Sequence, residues 1–360
     1  MKILHIETGA NLYGGALQVL YLMAGLKEGG VENFLVCPRG AVIGKRAEKI
    51  ASVCQIPMAG EADPLFPFRL VAAIGGLSPD IIHVHSRRGA DLWGAVAAAV
   101  TGIPAVITRR VDNLEFPPFA RLKYRPFRRI VAISACIGKV LRSQGVARER
   151  LSVVHSAVDT RRYRPGGDRR WFLDAFNLAP ETQVVGTVAQ LIPRKGHRDL
   201  IDAAPEILKR IPGARFIFFG KGPMAGELRR LCAMRGIADK VIFAGFRKDL
   251  YRILPCLDLV VHPATMEGLG VSLLQAAACG VPLVAAAAGG IPEIVRHGEN
   301  GYLFAPRAVD GIARYVVRVL ADPEGAHRLG ASGRRIALAD FSIPAMVSGN
   351  LAVYRRMLAP

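Results

Sequence analysis

Short apolar, β-branched runs alternate with longer amphipathic stretches along almost the whole chain. In the first half, Ile3–Ile6, Phe34–Cys37, Ile81–His85, Ala105–Thr108, Ile130–Ile133 and Leu151–Val154 have strand length and strand composition. Ala16–Glu28 and Ile137–Gln144 carry helical periodicity between them. Such alternation predicts an α/β architecture, a parallel sheet covered by helices on both faces. The pattern breaks at Val158–Arg170, where DTRRYRPGGDRR is polar, basic and carries Pro-Gly-Gly, the mark of a linker. It then resumes with Val184–Val188, Arg215–Phe219, Val241–Phe243, Leu257–Val261 and Leu283–Ala286. Two Rossmann-like domains in series are therefore expected, residues 1–160 and 171–340, facing each other across a cleft that is the default ligand site. The closing segment 342–358 has a helical pattern and is expected to pack back on the first domain.

Composition narrows the class. The chain has 360 residues, 51% hydrophobic and 21% charged, with a mean hydropathy of +0.27, enough for two buried cores. No stretch reaches ~18 uninterrupted apolar residues, so a membrane-spanning helix is not expected. The N-terminus MKILHIETGANLYGG reads as a strand and a glycine turn, without signal-peptide regions. Six scattered cysteines show no metal-finger or C-x-x-C spacing and read as buried free thiols of a reducing compartment. A cytoplasmic protein is the expectation from these features. The formal net charge of +19 draws attention to anionic partners: phosphates, nucleic acid or an acidic membrane. Basic and aromatic residues interleave in Phe116-Pro-Pro-Phe-Ala-Arg-Leu-Lys-Tyr-Arg-Pro-Phe-Arg-Arg129, a pattern suited to a bilayer surface or to an ordinary solvated basic face. No recognition-helix, OB or RRM pattern is present, so nucleic acid is not an expected partner.

Candidate chemistry gathers after strands. Glu267 and Gly268 follow Leu257–Val261, where open α/β sheets bind ligands, and a helix expected to start near Leu269 offers unpaired N–H groups to an anion. Gly268 and Gly270 let backbone approach a ligand. Gln275 lies eight residues beyond Glu267, roughly 12 Å along a helix. Gly14 and Gly15 open a helix after the first strand, without dinucleotide-fingerprint spacing. Gln190 and Lys195 lie in one further strand-end turn, and Gly220 and Gly222 in another, so three glycine-bearing turns converge on one crevice. His83 and His85 share a strand face, which makes a metal pair conceivable. No third ligand is evident nearby and there is no D-x-D, so no metal is expected. His85 then either touches substrate at the strand end or packs, with His83, as a hydrogen-bonded core residue.

Glu267-Gly-Leu-Gly270, LLQAAACGVPLVA and Gly289-Gly-Ile-Pro-Glu293, with Gly14-Gly15, DIIHVH, PRKG and GKGP, resemble the retaining glycosyltransferases of family 4, over essentially the whole chain. The resemblance implies the GT-B fold, with an acceptor-binding first domain and a second domain that binds a nucleotide-sugar. It implies that Glu267 contacts the donor sugar and that Gly268, Leu269 and Gly270 lie near its hydroxyls and diphosphate. Lys195 matches a phosphate-binding lysine, and Gly15 a glycine whose backbone meets the diphosphate. Sugar transfer then needs no metal or other cofactor, and the leaving phosphate helps deprotonate the acceptor.

Three positions depart from the pattern. Gln275 stands where a ribose-binding glutamate is usual, and Gln190 where an arginine is usual. Thr108-Arg-Arg110 stands where many members have a histidine, so Arg109 or Arg110 is expected to supply a cation there. The expected function is transfer of a sugar from a nucleotide-sugar to a glycan or lipid-linked acceptor, in lipopolysaccharide or cell-surface polysaccharide synthesis, peripheral on the inner membrane. A nucleotide-sugar epimerase of the same fold is the alternative enzyme reading, and it would need no acceptor; a nucleic-acid-binding protein driven by the +19 charge is the alternative from another class, and it would bind in a salt-sensitive way.

Overall fold

The computed structural model describes residues 1–61, 63–85 and 89–359, and its chain divides into two compact units. Residues 1–157 and 343–360 form the first and 158–342 the second. The first unit runs β1 (Lys2–Glu7), α1 (Gly14–Glu28), β2 (Glu32–Pro38), α2 (Val42–Ala47), β3 (Ser52–Ile56), α3 (Phe66–Leu77), β4 (Ile81–His85), α4 (Ala90–Thr101), β5 (Ala105–Arg109), α5 (Pro117–Tyr124), β6 (Arg129–Ala132), α6 (Ala135–Ser143) and β7 (Leu151–Val153). The second runs α7 (Arg169–Ala175), β8 (Gln183–Val188), α8 (His197–Arg210), β9 (Ala214–Phe219), α9 (Ala225–Met234), β10 (Val241–Gly245), α10 (Leu250–Ile253), β11 (Leu259–His262), α11 (Val271–Ala278), β12 (Leu283–Ala286), α12 (Ile291–Ile294), β13 (Gly301–Phe304), α13 (Val309–Leu320) and α14 (Pro323–Asp340). Helix α15 (Ile343–Leu358) belongs to the first unit.

Each unit holds one all-parallel sheet, ordered β3-β2-β1-β4-β5-β6-β7 in the first and β10-β9-β8-β11-β12-β13 in the second. Parallel strands need crossovers, and helices on both faces bury them. Central strands β4 and β5 are buried at every position. Strands β3 and β13 are absent from the hydrophobic pattern because both lie at sheet edges. SVCQI keeps polar positions exposed, and GYLF is only four residues long.

Helix α15 closes the first unit. Met346, Val347, Val353, Tyr354 and Met357 join Ile3, Leu22, Leu26, Val106 and Val154 in one core. A Cβ on Gly25 would lie 2.5 Å from Val347, so glycine lets α1 and α15 touch backbone to side chain. The stretch read as a linker is anchored within the second unit. Arg334 donates to the Thr160, Tyr163 and Ala278 carbonyls at 2.7–3.0 Å, and Val158 bridges to Ser342.

Candidate functional site

In the second unit the chain winds from β8 toward β10 on one side and from β11 toward β13 on the other. Connections diverge at such a switch point, leaving a crevice beyond the strands' carboxyl ends. The loops leaving β8 and β11 bring Lys195 and Glu267 into an ion pair there. Glu267 Oε2 accepts from Lys195 Nζ and from His262 Nε2, the latter at 2.9 Å. Burial alone would push this carboxyl up, but the hydrogen bond and charge of His262, then those of Lys195, outweigh it and hold the pKa at about 2. A carboxyl ionised at every physiological pH has no proton to give, and it acts as a hydrogen-bond acceptor and a fixed negative charge. The sequence pattern marks His262 only as the end of the strand five residues before Glu267 and gives it no role at the site.

The strand-end loops are locked to one another through backbone. Leu191 N–H donates to the Lys221 carbonyl, Thr265 N–H to that of Arg194, and Gly290 N–H to that of Glu267. A Cβ on Gly220 would fall 1.9 Å from the Ala189 carbonyl oxygen, one on Gly222 2.3 Å from that of Leu191, and one on Gly289 1.9 Å from that of Glu267. Gly220 and Gly222 therefore serve the close approach of loop on loop. Helix α11 begins at Val271, slightly later than expected, with Gly270 as its N-cap at φ +101°, a conformation L side chains rarely adopt. Gly268 and Leu269 are buried, Gln275 is half-buried on α11, and Gln190 is exposed.

In the first unit the switch lies between β1 and β4, where Glu7 pairs in register with His85. His83 and His85 are fully buried, and β1 supplies the third imidazole that the local sequence did not reveal, His5. Asn33 Nδ2 donates to the Met23 carbonyl at 2.9 Å, so its oxygen faces His5 and accepts from Nε2 at 3.2 Å. The neutral ring's Nδ1 is then bare and accepts from His85 Nε2–H at 2.9 Å. His85 Nδ1 is left buried, without a hydrogen-bond partner among the described residues. His83 bonds Tyr354 through Nδ1 and Thr108 through Nε2. Burial lowers the pKa of all three rings, that of His5 to about 4.

The ligand atoms of the three histidines lie within 4.8 Å of one another. Three of their six nitrogens bond one another or Asn33, two more bond Tyr354 and Thr108, and only His85 Nδ1 stays open among the described residues; one open nitrogen does not make the three-ligand set of a catalytic zinc. The cluster fits a hydrogen-bonded core better than a metal centre.

Arg110 follows β5 at the same sheet edge. Its Nη1 reaches Ser156 Oγ at 3.4 Å, its Nε is buried without a partner among the described residues, and burial lowers its pKa to about 10. Its Cδ lies 3.6 Å from where a Gly15 Cβ would be, and a Cβ on Gly14 would meet nothing within 4 Å among the described residues. The α1 N-terminus carries no side-chain cap, so unbonded N–H groups and a guanidinium lie side by side. Arg109, the other cation expected here, is buried and committed to the Val111 carbonyl, Asn113 and Glu115. Of the basic stretch, Lys123 is internal, bonded to Glu115 and Asp91, whereas Arg121, Arg125 and Arg128 are exposed.

Comparison with known proteins agrees with this geometry. The family model for Glycosyltransferase Family 4 matches residues 13–162, and that for Glycosyl transferases group 1 matches 169–336. The GDP-mannose-dependent alpha-(1-6)-phosphatidylinositol monomannoside mannosyltransferase of Mycobacterium tuberculosis is 34% identical over 193 residues, 51% of this chain and 50% of that protein. The match thus spans about half the length of that relative. The 2-deoxystreptamine glucosyltransferase of Streptomyces kanamyceticus is 28% identical over 301 residues, 78% of each chain. Among solved structures, Anabaena HepE in complex with UDP has a TM-score of 0.87 at 22% identity, covering 99% of this chain and 100% of that one. Sucrose-phosphate synthase from Thermosynechococcus elongatus has a TM-score of 0.78 at 19% identity, covering 99% and 98%. Two Rossmann-like parallel sheets and two adjoining family matches identify the chain as a member of glycosyltransferase family 4, with the GT-B fold.

Proposed function

We propose that the protein is a retaining glycosyltransferase that moves a sugar from a nucleotide-sugar to a glycan or lipid-linked acceptor in lipopolysaccharide or other cell-surface polysaccharide synthesis. The observation that carries this reading is the Lys195–Glu267–His262 cluster at the switch point of the second unit. Glu267, ionised and fixed by two donors, accepts hydrogen bonds from the donor sugar's hydroxyls. Lys195 exchanges its bond to Glu267 for the donor's phosphate, and the α11 N-terminus with Gly268, Leu269 and Gly270 adds backbone dipole at the same charge. Gln190 and Gln275 hydrogen-bond the donor as neutral groups, and Gly220 and Gly222 hold the loop that flanks it.

On the first unit taken by itself, Gly14, Gly15 and Arg110 form an anion-binding corner suited to phosphate, and His85 Nδ1 offers a lone pair suited to an acceptor hydroxyl. Charge on the leaving group is met by Lys195 and the α11 N-terminus, so the reaction as proposed requires no metal. The UDP bound by HepE and the GDP-mannose dependence of the mycobacterial relative both support a nucleotide-sugar donor. The same reading sets the enzyme in the cytoplasm, peripheral on an anionic inner-membrane face. No helix among the described residues is long and apolar enough to cross a membrane.

The test is a thermal-shift screen of the purified protein against nucleoside diphosphates and nucleotide-sugars, followed by transfer assays with the donor that binds. One donor is expected to raise the melting temperature. Glu267→Ala is expected to cut transfer by about 100-fold or more, the scale of losing a preorganised charge at the reacting centre. No shift with any nucleotide, or full activity in a folded Glu267→Ala protein, overturns the assignment.

A further inference from the structure

Helices α3 and α4 pack side by side on one face of the first sheet, with α5 beside α4. A fifth of the chain is charged, yet their 12 and 12 residues include only Arg69, half-buried and paired with Asp63, and Asp91, which is buried. Their solvent side instead exposes Phe68 at 72% and Val100 at 66%, with Val96 and Leu92 about one and two turns before Val100 and Leu65 just ahead of α3. Exposed apolar side chains on two neighbouring helices that present almost no charge mark a candidate interaction face.

The edge of this face is basic. Arg121, Arg125 and Arg128, on and after α5, are exposed and make no ion pair among the described residues. Where α4 ends, a surface cavity of about 530 Å³ opens between Gly102–Ala105 and Arg125–Arg128. Arg150 closes it, its guanidinium donating to the Tyr124 and Phe127 carbonyls. The cavity lies at the amino ends of β5 and β6, the sheet edge opposite Arg110 and His85.

We propose that the first unit docks on an anionic phospholipid bilayer through the outer face of α3 and α4, with the cavity between Gly102 and Arg128 seating a lipid phosphate. The proposal rests on the peripheral-membrane reading above and gives it a surface. Charge selects the occupant. A second copy of this chain would bring the same +19 and the same arginine rim against itself, whereas an anionic bilayer offers apolar depth for Phe68 and Val100 and phosphates for Arg125 and Arg128.

Vesicle co-sedimentation of the full chain tests it, using phosphatidylcholine with and without 30% phosphatidylglycerol (about one lipid in three anionic, the regime in which basic residues gain surface attraction). Wild type is expected on the phosphatidylglycerol vesicles only. Phe68→Ser with Val100→Ser should weaken partitioning about tenfold or more, the effect of withdrawing two apolar side chains from lipid. Arg125→Gln with Arg128→Gln should weaken it about 30-fold and flatten its salt dependence, at ~1 kcal/mol per arginine. Undiminished binding by the Phe68/Val100 variant overturns the docking face while leaving a purely charge-driven membrane contact. A dimer in sedimentation velocity that the same variant abolishes overturns it in favour of a second copy. Absence of wild-type binding to any vesicle overturns the face and the membrane reading together. A nucleotide-dependent thermal shift retained in that case shows that the donor-site reading stands independently.

Discussion

At the scale of single residues, two kinds of glycine separate. Gly220 and Gly289 are demanded by the fold, since a Cβ at either would fall 1.9 Å from a carbonyl oxygen of the neighbouring loop. Gly14 and Gly15 are not, because a Cβ at Gly14 meets nothing and one at Gly15 makes an ordinary contact among the described residues. Gly289→Ala should therefore destabilise the second unit by about 3 kcal/mol through forced loop displacement. Gly14→Ala should leave stability within about 1 kcal/mol of wild type and, if the proposed phosphate contact at Gly14 holds, reduce the nucleotide-induced shift. Equal melting losses for the two variants would refute the distinction. Glu267 and Lys195 were legible because each sits in a compact local motif. Their bond to each other was not, since it joins loops 72 positions apart, and neither motif states that the two charges meet.

At the scale of elements, α15 shows what a one-dimensional pattern conveys and what it leaves out. Its helical periodicity is plain in the sequence, and its length matches the expectation closely. The contacts that seat it are not legible there. Val347 over Gly25, Gly349 against Val154, and the Tyr354 hydroxyl on His83 Nδ1 all join segments far apart in the chain. The same holds for His5, which becomes the third imidazole only because β1 and β4 are neighbours in the sheet. Tyr354→Phe removes a buried partner of His83 and leaves that nitrogen unsatisfied, a cost of about 1–3 kcal/mol. Calorimetry should show the loss in the transition of the first unit, with nucleotide affinity of the second unit unchanged. A wild-type melting profile in the variant would mean that the hydroxyl does not hold the helix.

At the scale of the whole molecule, the distribution of buried histidine makes the two units unequal toward acid. His5, His83 and His85 are held neutral in the first unit, and His197 in the second, each with its pKa pushed below the ordinary 6.5 by burial. Unfolding returns each ring to about 6.5, so between that pH and its folded value the unfolded chain binds more protons. Stability contributed by these rings is complete above pH 6.5 and is lost as pH falls. With a folded value of about 4, His5 alone accounts for about 3 kcal/mol by pH 4. His83 and His85 add losses of the same sign. Glu267 acts later, because its folded value of about 2 lies below the ordinary 4.5 and its contribution is retained until pH drops under 4.5. Between pH 6.5 and 4.5 the first unit should therefore open before the second. Hydrogen exchange across that range should show amides of β1, β4 and β5 losing protection while those of β8, β11 and β12 keep it. If the strands of both units lost protection together, or the second unit first, the histidine cluster would not govern acid stability. A His83→Phe/Tyr354→Phe double variant, apolar and free of the titrating ring, would then lose as much stability as wild type between pH 7 and pH 5. If the cluster does govern it, that variant should lose less stability than wild type between pH 7 and pH 5, whatever its absolute melting temperature.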